Sequence, residues 1–127
     1  FIDTVRKRYQ LARDKTTPSL ETVLRRTSAN GHLTNVRWLC RQAVDINAQD
    51  TNSSSQRTAL HWAVLKGHAT VAEQLMASGA RTDIPDAKQK TAENYMRESS
   101  HEAISFMHWA ISSAHEMEMH TGLVGLI

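Results

Sequence analysis

Apolar residues in the middle of the chain recur at helical spacing in two short segments. Leu60, Ala63 and Val64 share one face of a first predicted helix, and Gly67 follows at its expected end, because helices often stop at a left-handed glycine. The second predicted helix, which Gly79 ends, has its inner stripe at Val71, Ala72, Leu75 and Met76. Neither segment is long enough to be stable alone, so each must bury its apolar face against a neighbouring element.

This pair of helices belongs to a repeat. The tetrapeptide TALH at residues 58–61 returns in weakened form as TAEN at residues 91–94, which is 33 residues further on. Upstream, Gly31-His32 precedes Gly67-His68 by 36 residues, and the extra three fall in the polar segment DTNSSSQRT, residues 50–58. A stacked repeat keeps the register of its core and tolerates added length in a surface loop, so the period predicts stacked two-helix units.

The repeat resembles the ankyrin repeat family. The middle unit carries TALH, then GH at residues 67–68 and GA at residues 79–80. The first unit keeps GH and DINAQD but has TVLR in place of the family's Thr-Pro-Leu-His box, and the third has Asn94 for the histidine and Ser100 for the glycine. The resemblance covers about Thr22 to Ile111. It implies an all-α ankyrin-repeat solenoid of helix-turn-helix units with helical N- and C-terminal caps.

We expect one ankyrin-repeat domain over residues 1–127, with repeats at 22–57, 58–90 and 91–127, the last including a C-terminal capping helix. Residues 1–21 read as a basic N-terminal capping helix, and Pro18 suits the first position of the next helix. The capping helix has its apolar stripe at Ile2, Val5, Tyr9 and Ala12. The last helix is predicted to run to about Met119, along a stripe of Ile104, Met107, Ile111 and Ala114.

Composition and charge agree with helices and place limits on function. Two Pro and five Gly are few for an all-β fold, and no run reaches the roughly 18 apolar residues of a membrane span. The net charge of +2 hides an asymmetry, because residues 1–41 carry +6 and the remainder carries −4. Cys40 is the only cysteine, which suits a reducing, intracellular compartment. The chain begins at Phe1, and we interpret it as a piece of a longer protein.

Candidate chemical groups are few. The resemblance implies structural roles for His61 and His68, whose rings would bond to the backbone. His101, His108 and His115 are spaced seven residues apart, or roughly 10 Å along a helix, which is too far for them to share one zinc ion. Cys40 aligns with apolar Met76 and Trp109, so we expect a buried thiol. We therefore expect no catalytic site, no metal and no cofactor in this chain.

The surface offers a more specific prediction. The resemblance places the residue after each TxLH box on the concave side of the stack, which makes a row of Arg26, Trp62 and Tyr95. Side chains of these types are common in binding hot spots. The other predicted partner-binding residues are Leu65, Lys66 and Glu98 next to the row and Arg57, Lys88 and Lys90 at the hairpin tips. The alternative is that Trp62 only fills a gap in a small core.

The function predicted from these features is non-catalytic recognition of a protein partner. The partner is a separate protein or another domain of the longer protein to which this chain belongs. One alternative is a regulatory or substrate-recruiting segment of a larger enzyme. A second is binding of nucleic acid or an anionic membrane by the basic N-terminal helices, through residues such as Arg6, Lys7, Arg8, Arg37 and Arg41. The sequence argues against this second alternative, because it has neither a groove-reading motif nor aromatic residues interleaved with the basic ones.

Overall fold

The fold is a stack of paired helices. A computed structural model describes the backbone of residues 19–125 and the side chains of residues 19–113. The helices are α1 (Leu20–Ala29), α2 (Leu33–Cys40), α3 (Ala59–Leu65), α4 (Ala69–Ala77), α5 (Ala92–Glu98) and α6 (Glu102–Gly125). No strand occurs in this part of the chain, and the all-α prediction is confirmed.

The core lies between two layers of helices. α1, α3 and α5 pack side by side, and α2, α4 and α6 lie behind them. Leu24 and Leu60 hold equivalent places in successive repeats, and each is about 1% exposed. The stripe predicted for α4 is confirmed at Val71, Ala72 and Leu75, which have no exposed surface, while Met76 is half-buried. Burial of these apolar faces is what makes such short helices stable.

Each of the first two repeats turns at a glycine, as predicted. Gly31 has φ +73° and Gly67 has φ +79°, and both stand just past the end of a helix. The following residue closes the turn, since the N–H of His68 donates to the carbonyl of Ala63 at 2.9 Å and that of His32 donates to Thr27 at 3.1 Å. This pattern satisfies carbonyls that the helix leaves unpaired, so the chain can reverse within three residues.

The first helix begins differently from the prediction. We expected a helix to open at Pro18, but α1 starts at Leu20 with Ser19 as its N-cap. The Ser19 side chain accepts a hydrogen bond from the N–H of Thr22. Later repeats instead use a threonine, Thr58 or Thr91, whose hydroxyl accepts from the third residue of the helix. A serine one turn earlier therefore moves the start of α1 upstream.

The side of α5 that faces away from the second repeat is polar. Leu60 and Val64 of α3 are buried, whereas Glu93 and Arg97 hold the equivalent places on α5, with Arg97 exposed. Glu93 lies 3.8 Å from His108 of α6. The predicted stripe of α6 is confirmed for Ile104 and Met107, which are buried, and for Ile111, which is half-buried. The described part of α6 reaches Gly125, beyond the predicted end near Met119.

Two predictions lie wholly or partly outside the described residues. The N-terminal capping helix was expected over residues 1–21, of which the structure describes 19–21, and Ala114 lies past the last described side chain. The division into repeats at 22–57, 58–90 and 91–127 stays a prediction. Among the described helices, none has both the length and the apolar character needed to cross a membrane.

Candidate functional site

The predicted row follows three neighbouring helices. Arg26 on α1 is exposed, while Trp62 on α3 and Tyr95 on α5 are half-buried. The guanidinium carbon of Arg57 lies 5.0 Å from the ring centroid of Trp62 and 5.8 Å from that of Tyr95. One cation from the hairpin tip therefore links the two aromatic residues into a continuous surface.

A buried carboxylate fixes this arrangement. Asp86 has a fully buried side chain, and its Oδ2 accepts hydrogen bonds from Arg57 Nε at 3.3 Å and from the Tyr95 hydroxyl at 2.5 Å. Its Oδ1 accepts from the backbone N–H groups of Lys88 and Lys90. Burial alone would raise the pKa of Asp86, but these hydrogen bonds outweigh it and hold the pKa below its usual value. Asp86 thus organises the second hairpin tip and the side chains above it.

Asp86 was not among the predicted site residues. The sequence carried a signal, because Asp50 and Asp86 occupy equivalent places in the two hairpins. Tyr95 was predicted to be a binding anchor, but its hydroxyl donates a hydrogen bond to this buried carboxylate. Burial and the bond to Asp86 raise the pKa of Tyr95. Its ring remains part of the surface, while its polar end serves the fold.

The remaining predicted residues fall into two groups. Lys90 forms an ion pair with Glu98 at 2.8 Å, and its Nζ lies 5.4 Å from the Tyr95 ring centroid. Lys66 and Lys88 are exposed and take part in no ion pair within residues 19–113. A cleft of about 240 Å³ lies between α3 and α5. Its lining consists of Val64, Leu65, Tyr95, Glu98, Ser99, Ser100 and His101.

A larger cleft of about 350 Å³ lies on the other side of Trp62. It is bounded by α1, by Trp62 and by the tip of the first hairpin. The lining residues are Thr22, Arg25, Arg26, Ala29, Asp50, Thr51, Asn52 and Trp62. The cleft thus contains two of the three residues of the predicted row. Arg25 was missed as a site residue, although it is a charged residue at the histidine position of the box.

The structure confirms the structural roles expected for the two histidines. The N–H of Thr58 donates to His61 Nδ1 at 3.1 Å, which leaves Nε2 to donate to the carbonyl of Lys90, also at 3.1 Å. Burial lowers the pKa of His61, so the ring is neutral at neutral pH. The Nε2 of His68 lies 3.2 Å from the carbonyl of Ala29. Both rings therefore connect one repeat to a neighbouring one.

The cysteine is less enclosed than predicted. Cys40 packs against the core but is half-buried, and burial raises the pKa of its thiol against a smaller opposing effect of a hydrogen bond with Ser78. Trp109, which aligns with it, is 61% exposed and lies 5.6 Å from Phe106 on α6. Within residues 19–113 no group of three or more His, Cys, Asp or Glu side chains could hold a metal ion, and the side chain of His115 lies outside this range.

Comparison with known protein families gives a match over most of the chain. A family model described as ankyrin repeats, in three copies, matches residues 8–86 and, in an overlapping alignment, residues 24–119. The two alignments together span most of the chain, including all of α1 to α5 and most of α6.

Proposed function

We propose, since this chain belongs to the ankyrin repeat family, that it is a non-catalytic module that binds a protein partner through one continuous surface. Ankyrin repeats are in general protein–protein interaction modules. The surface consists of the row Arg26, Trp62 and Tyr95 together with the hairpin tips. A domain of the same parent chain is included among the partners, because docking within one chain uses the same kind of surface.

The observation that supports this proposal is that Trp62 is held in place by contacts within the chain and still borders a cleft at the surface. The ring is half-buried, with the Arg57 guanidinium held over it, and it also lines the cleft between α1 and the first hairpin tip. Tryptophan is large and rarely fully buried, so the decisive feature is where the exposed part of the ring lies, at a cleft and beside a fixed cation. A ring that is held in place and still borders a cleft loses little conformational entropy when a partner covers it, and this favours binding.

The partner is proposed to be a protein rather than nucleic acid or lipid. Two cations close to the row are engaged within the chain, since Arg57 of the first hairpin pairs with Asp86 and Lys90 of the second hairpin pairs with Glu98. Arg37 on α2 and Arg41 at its C-terminal end are exposed but lie in the other helix layer, away from Trp62. Phosphate binding through dispersed arginines would fall steeply with added salt, whereas binding centred on Trp62 would fall far less.

The test is a pull-down from cell lysate with three forms of the chain: the unsubstituted chain, Trp62→Ala and Trp109→Ala. Bound proteins are identified by mass spectrometry at two salt concentrations. Trp109 is the matched control, because it is a more exposed tryptophan on a different helix. We expect the same proteins to bind the parent chain and Trp109→Ala, and to be lost from Trp62→Ala. Circular dichroism establishes that all three chains are folded. Equal capture by all three would exclude the proposed surface.

A further inference from the structure

The cleft between α1, the first hairpin tip and Trp62 contains a cation that the next two repeats lack. Arg25 occupies the position held by His61 and Asn94 in the following repeats. It makes similar structural contacts, since it donates to the hydroxyl of Thr22 and to the carbonyl of Ala48, both at 3.2 Å. His61 likewise connects the threonine of its own box with a carbonyl of the following hairpin, that of Lys90, and does so as a neutral side chain. The structural task therefore does not require the charge of Arg25.

This charge has no ion-pair partner in the described chain. The acidic side chains whose charges favour the charged form of Arg25 are Asp50 and Glu21, and neither forms an ion pair with Arg25 within 4.0 Å. Both carboxylates are used elsewhere: Asp50 accepts from the Ser55 hydroxyl at 2.6 Å, and Glu21 accepts from the N–H of Asp45 at 3.3 Å. Partial burial disfavours the charged form and lowers the pKa of Arg25.

The neighbouring arginine adds a second cation to the same cleft. Arg26 is exposed and takes part in no ion pair among residues 19–113. Against the single carboxylate of Asp50, the lining carries two guanidinium groups. The cleft as a whole is therefore positive, and it has donors to spare, because each guanidinium offers five N–H groups.

The rest of the cleft has an apolar part, and the volume of the cleft is small. Trp62 and Ala29 provide the apolar part, and Thr51 and Asn52 belong to the tip of the first hairpin, which is three residues longer than the second. The volume of about 350 Å³ is at the lower end of the roughly 300–1,000 Å³ of ligand clefts. That is room for a pair of side chains rather than for a folded element.

We propose that this cleft binds an acidic peptide segment of the protein partner. An Asp or Glu carboxylate of that segment pairs with Arg25 and Arg26, and an adjacent large apolar side chain packs on Trp62 and Ala29. The inference rests on the proposed function, since it specifies the partner of the same surface. A carboxylate matches the cleft in charge, because Arg25, Arg26 and Asp50 give the lining a net charge of +1, which one monoanion neutralises and a phosphate dianion would exceed. The planar forks of two guanidinium groups also match the geometry of carboxylates.

The test begins with selection from a phage-displayed library of random dodecapeptides on the full chain. We expect enriched peptides to carry Asp or Glu next to Phe, Tyr, Trp or Leu. Affinities are then measured by fluorescence polarisation for the best peptide and for its counterpart with Asn or Gln in place of the acid. The amide counterpart is expected to bind about tenfold more weakly or worse, which corresponds to the loss of a charge-assisted hydrogen bond.

Variants of the chain assign the effect to the cleft. Arg25→His introduces the residue that serves the next repeat, and Arg26→Gln removes the second charge. Each is expected to weaken the acidic peptide about tenfold and to have little effect on the amide peptide. The controls Arg37→Gln and Arg41→Gln remove an exposed charge from α2 and should leave both affinities unchanged. Unfolding by urea establishes that the variants retain their stability.

The outcomes separate this inference from the proposed function. If peptides bind and Trp62→Ala abolishes binding, but acidic and amide peptides bind equally, the cleft inference is wrong and the proposed surface stands. Peptide binding that is insensitive to Trp62→Ala as well would contradict both. An acid preference lost equally in Arg25→His and in the α2 controls would mean general charge attraction, which also overturns the inference. A selection that enriches no peptide would overturn the inference as well.

Discussion

The imidazole ring of His68 lies directly against Gly31, so that a Cβ atom on Gly31 would be 2.6 Å from the His68 Nδ1. The next repeat has the same relationship, because a Cβ on Gly67 would be 2.7 Å from the ring of His101. Each histidine therefore occupies space that only a glycine in the preceding repeat leaves free. The two glycines also have a positive φ, so they serve both the turn and the contact between repeats.

We predict that Gly31→Ala destabilises the chain by about 2–4 kcal/mol, of which about 1 kcal/mol is backbone strain and the rest collision with His68. In a His68→Ala background the same substitution should cost only about 1 kcal/mol, since the collision is absent. The measurement is a double-mutant cycle of unfolding free energies from urea titration followed by circular dichroism. An equal cost in both backgrounds would show that the histidine does not depend on the glycine.

This contact explains a departure of the third repeat that the sequence alone left unexplained. Ser100 replaces the glycine there, and the turn uses Ser99 in an extended conformation instead of a left-handed residue. Among the described residues no histidine of a later repeat lies over this turn. Together with Glu93 and Arg97 on the outward face of α5, this makes the polar face of the third repeat consistent with a capping unit.

The features that could be predicted from the sequence are the local and repeated ones. The spacing of apolar residues identified the helices and the buried stripe of α4, and the family resemblance identified the structural role of His61. The predicted start of α1 was wrong, because several hydroxyl groups near this end could cap the helix and the one that does so is that of Ser19. The length of α6 was underestimated, because the helix continues through Gly122 to Gly125 although a glycine in such a place commonly marks a helix end.

The contacts of the candidate site were beyond sequence reasoning for a different reason. Asp86 reaches Arg57 across 29 positions of the chain, and Arg25 reaches Ala48 across 23. Such pairs depend on where a hairpin tip comes to rest over a helix, and side-chain spacing does not encode that position. The row Arg26, Trp62 and Tyr95 could be aligned from the period. Its division into an exposed part and a part that supports the fold could not.

A second prediction concerns a buried hydroxyl. Ser28 has no exposed surface, and its Oγ is the one buried side-chain polar atom without a hydrogen-bond partner among residues 19–113. The equivalent residue of the next repeat is Val64. We predict that Ser28→Ala stabilises the chain by about 1 kcal/mol, because it removes an unsatisfied group and improves helix propensity. The measurement is the midpoint of urea unfolding.

The matched control is the neighbouring Thr27→Val. Thr27 is equally buried, but its hydroxyl donates to the carbonyls of Val23 and Leu24 at 3.0 and 3.1 Å. Its removal therefore takes away a satisfied hydrogen bond and should not stabilise the chain. If Ser28→Ala lowered the unfolding free energy by as much as a core truncation does, its hydroxyl would have a partner in solution.

A third prediction concerns acid. Asp86 has a folded-state pKa below its usual value, so its stabilising contribution is fully present above the unfolded-state pKa of about 3.9 and is lost as the pH falls through the folded-state pKa. We expect the unfolding free energy to decrease below about pH 4, and Asp86→Asn to flatten this decrease while costing about 1–3 kcal/mol at pH 7. Urea unfolding at a series of pH values measures both effects.

Asp83→Asn is the control for this pH series. Asp83 also carries a lowered pKa, through its hydrogen bond and ion pair with Arg81, but both side chains are 64% exposed. Solvent screens an exposed pair, so its removal should leave the acid profile close to that of the parent chain. A profile that Asp83→Asn flattens as much as Asp86→Asn does would refute the special role of the buried carboxylate.

The last prediction separates the two roles of Tyr95. Tyr95→Phe keeps the ring beside Arg57 and Lys90 but removes the hydroxyl that donates to Asp86 at 2.5 Å. We expect a loss of about 1–3 kcal/mol of stability, the range for a hydrogen bond to a charged group. In an Asp86→Asn background the loss of stability should be smaller, since the charged acceptor is gone. Urea unfolding of the unsubstituted chain, the two single variants and the double variant gives the coupling energy.

Partner binding at a temperature where all four chains are folded should change little with Tyr95→Phe, because the ring and not the hydroxyl faces the proposed surface. If Tyr95→Phe left stability intact and abolished binding, the hydroxyl would belong to the partner and not to Asp86.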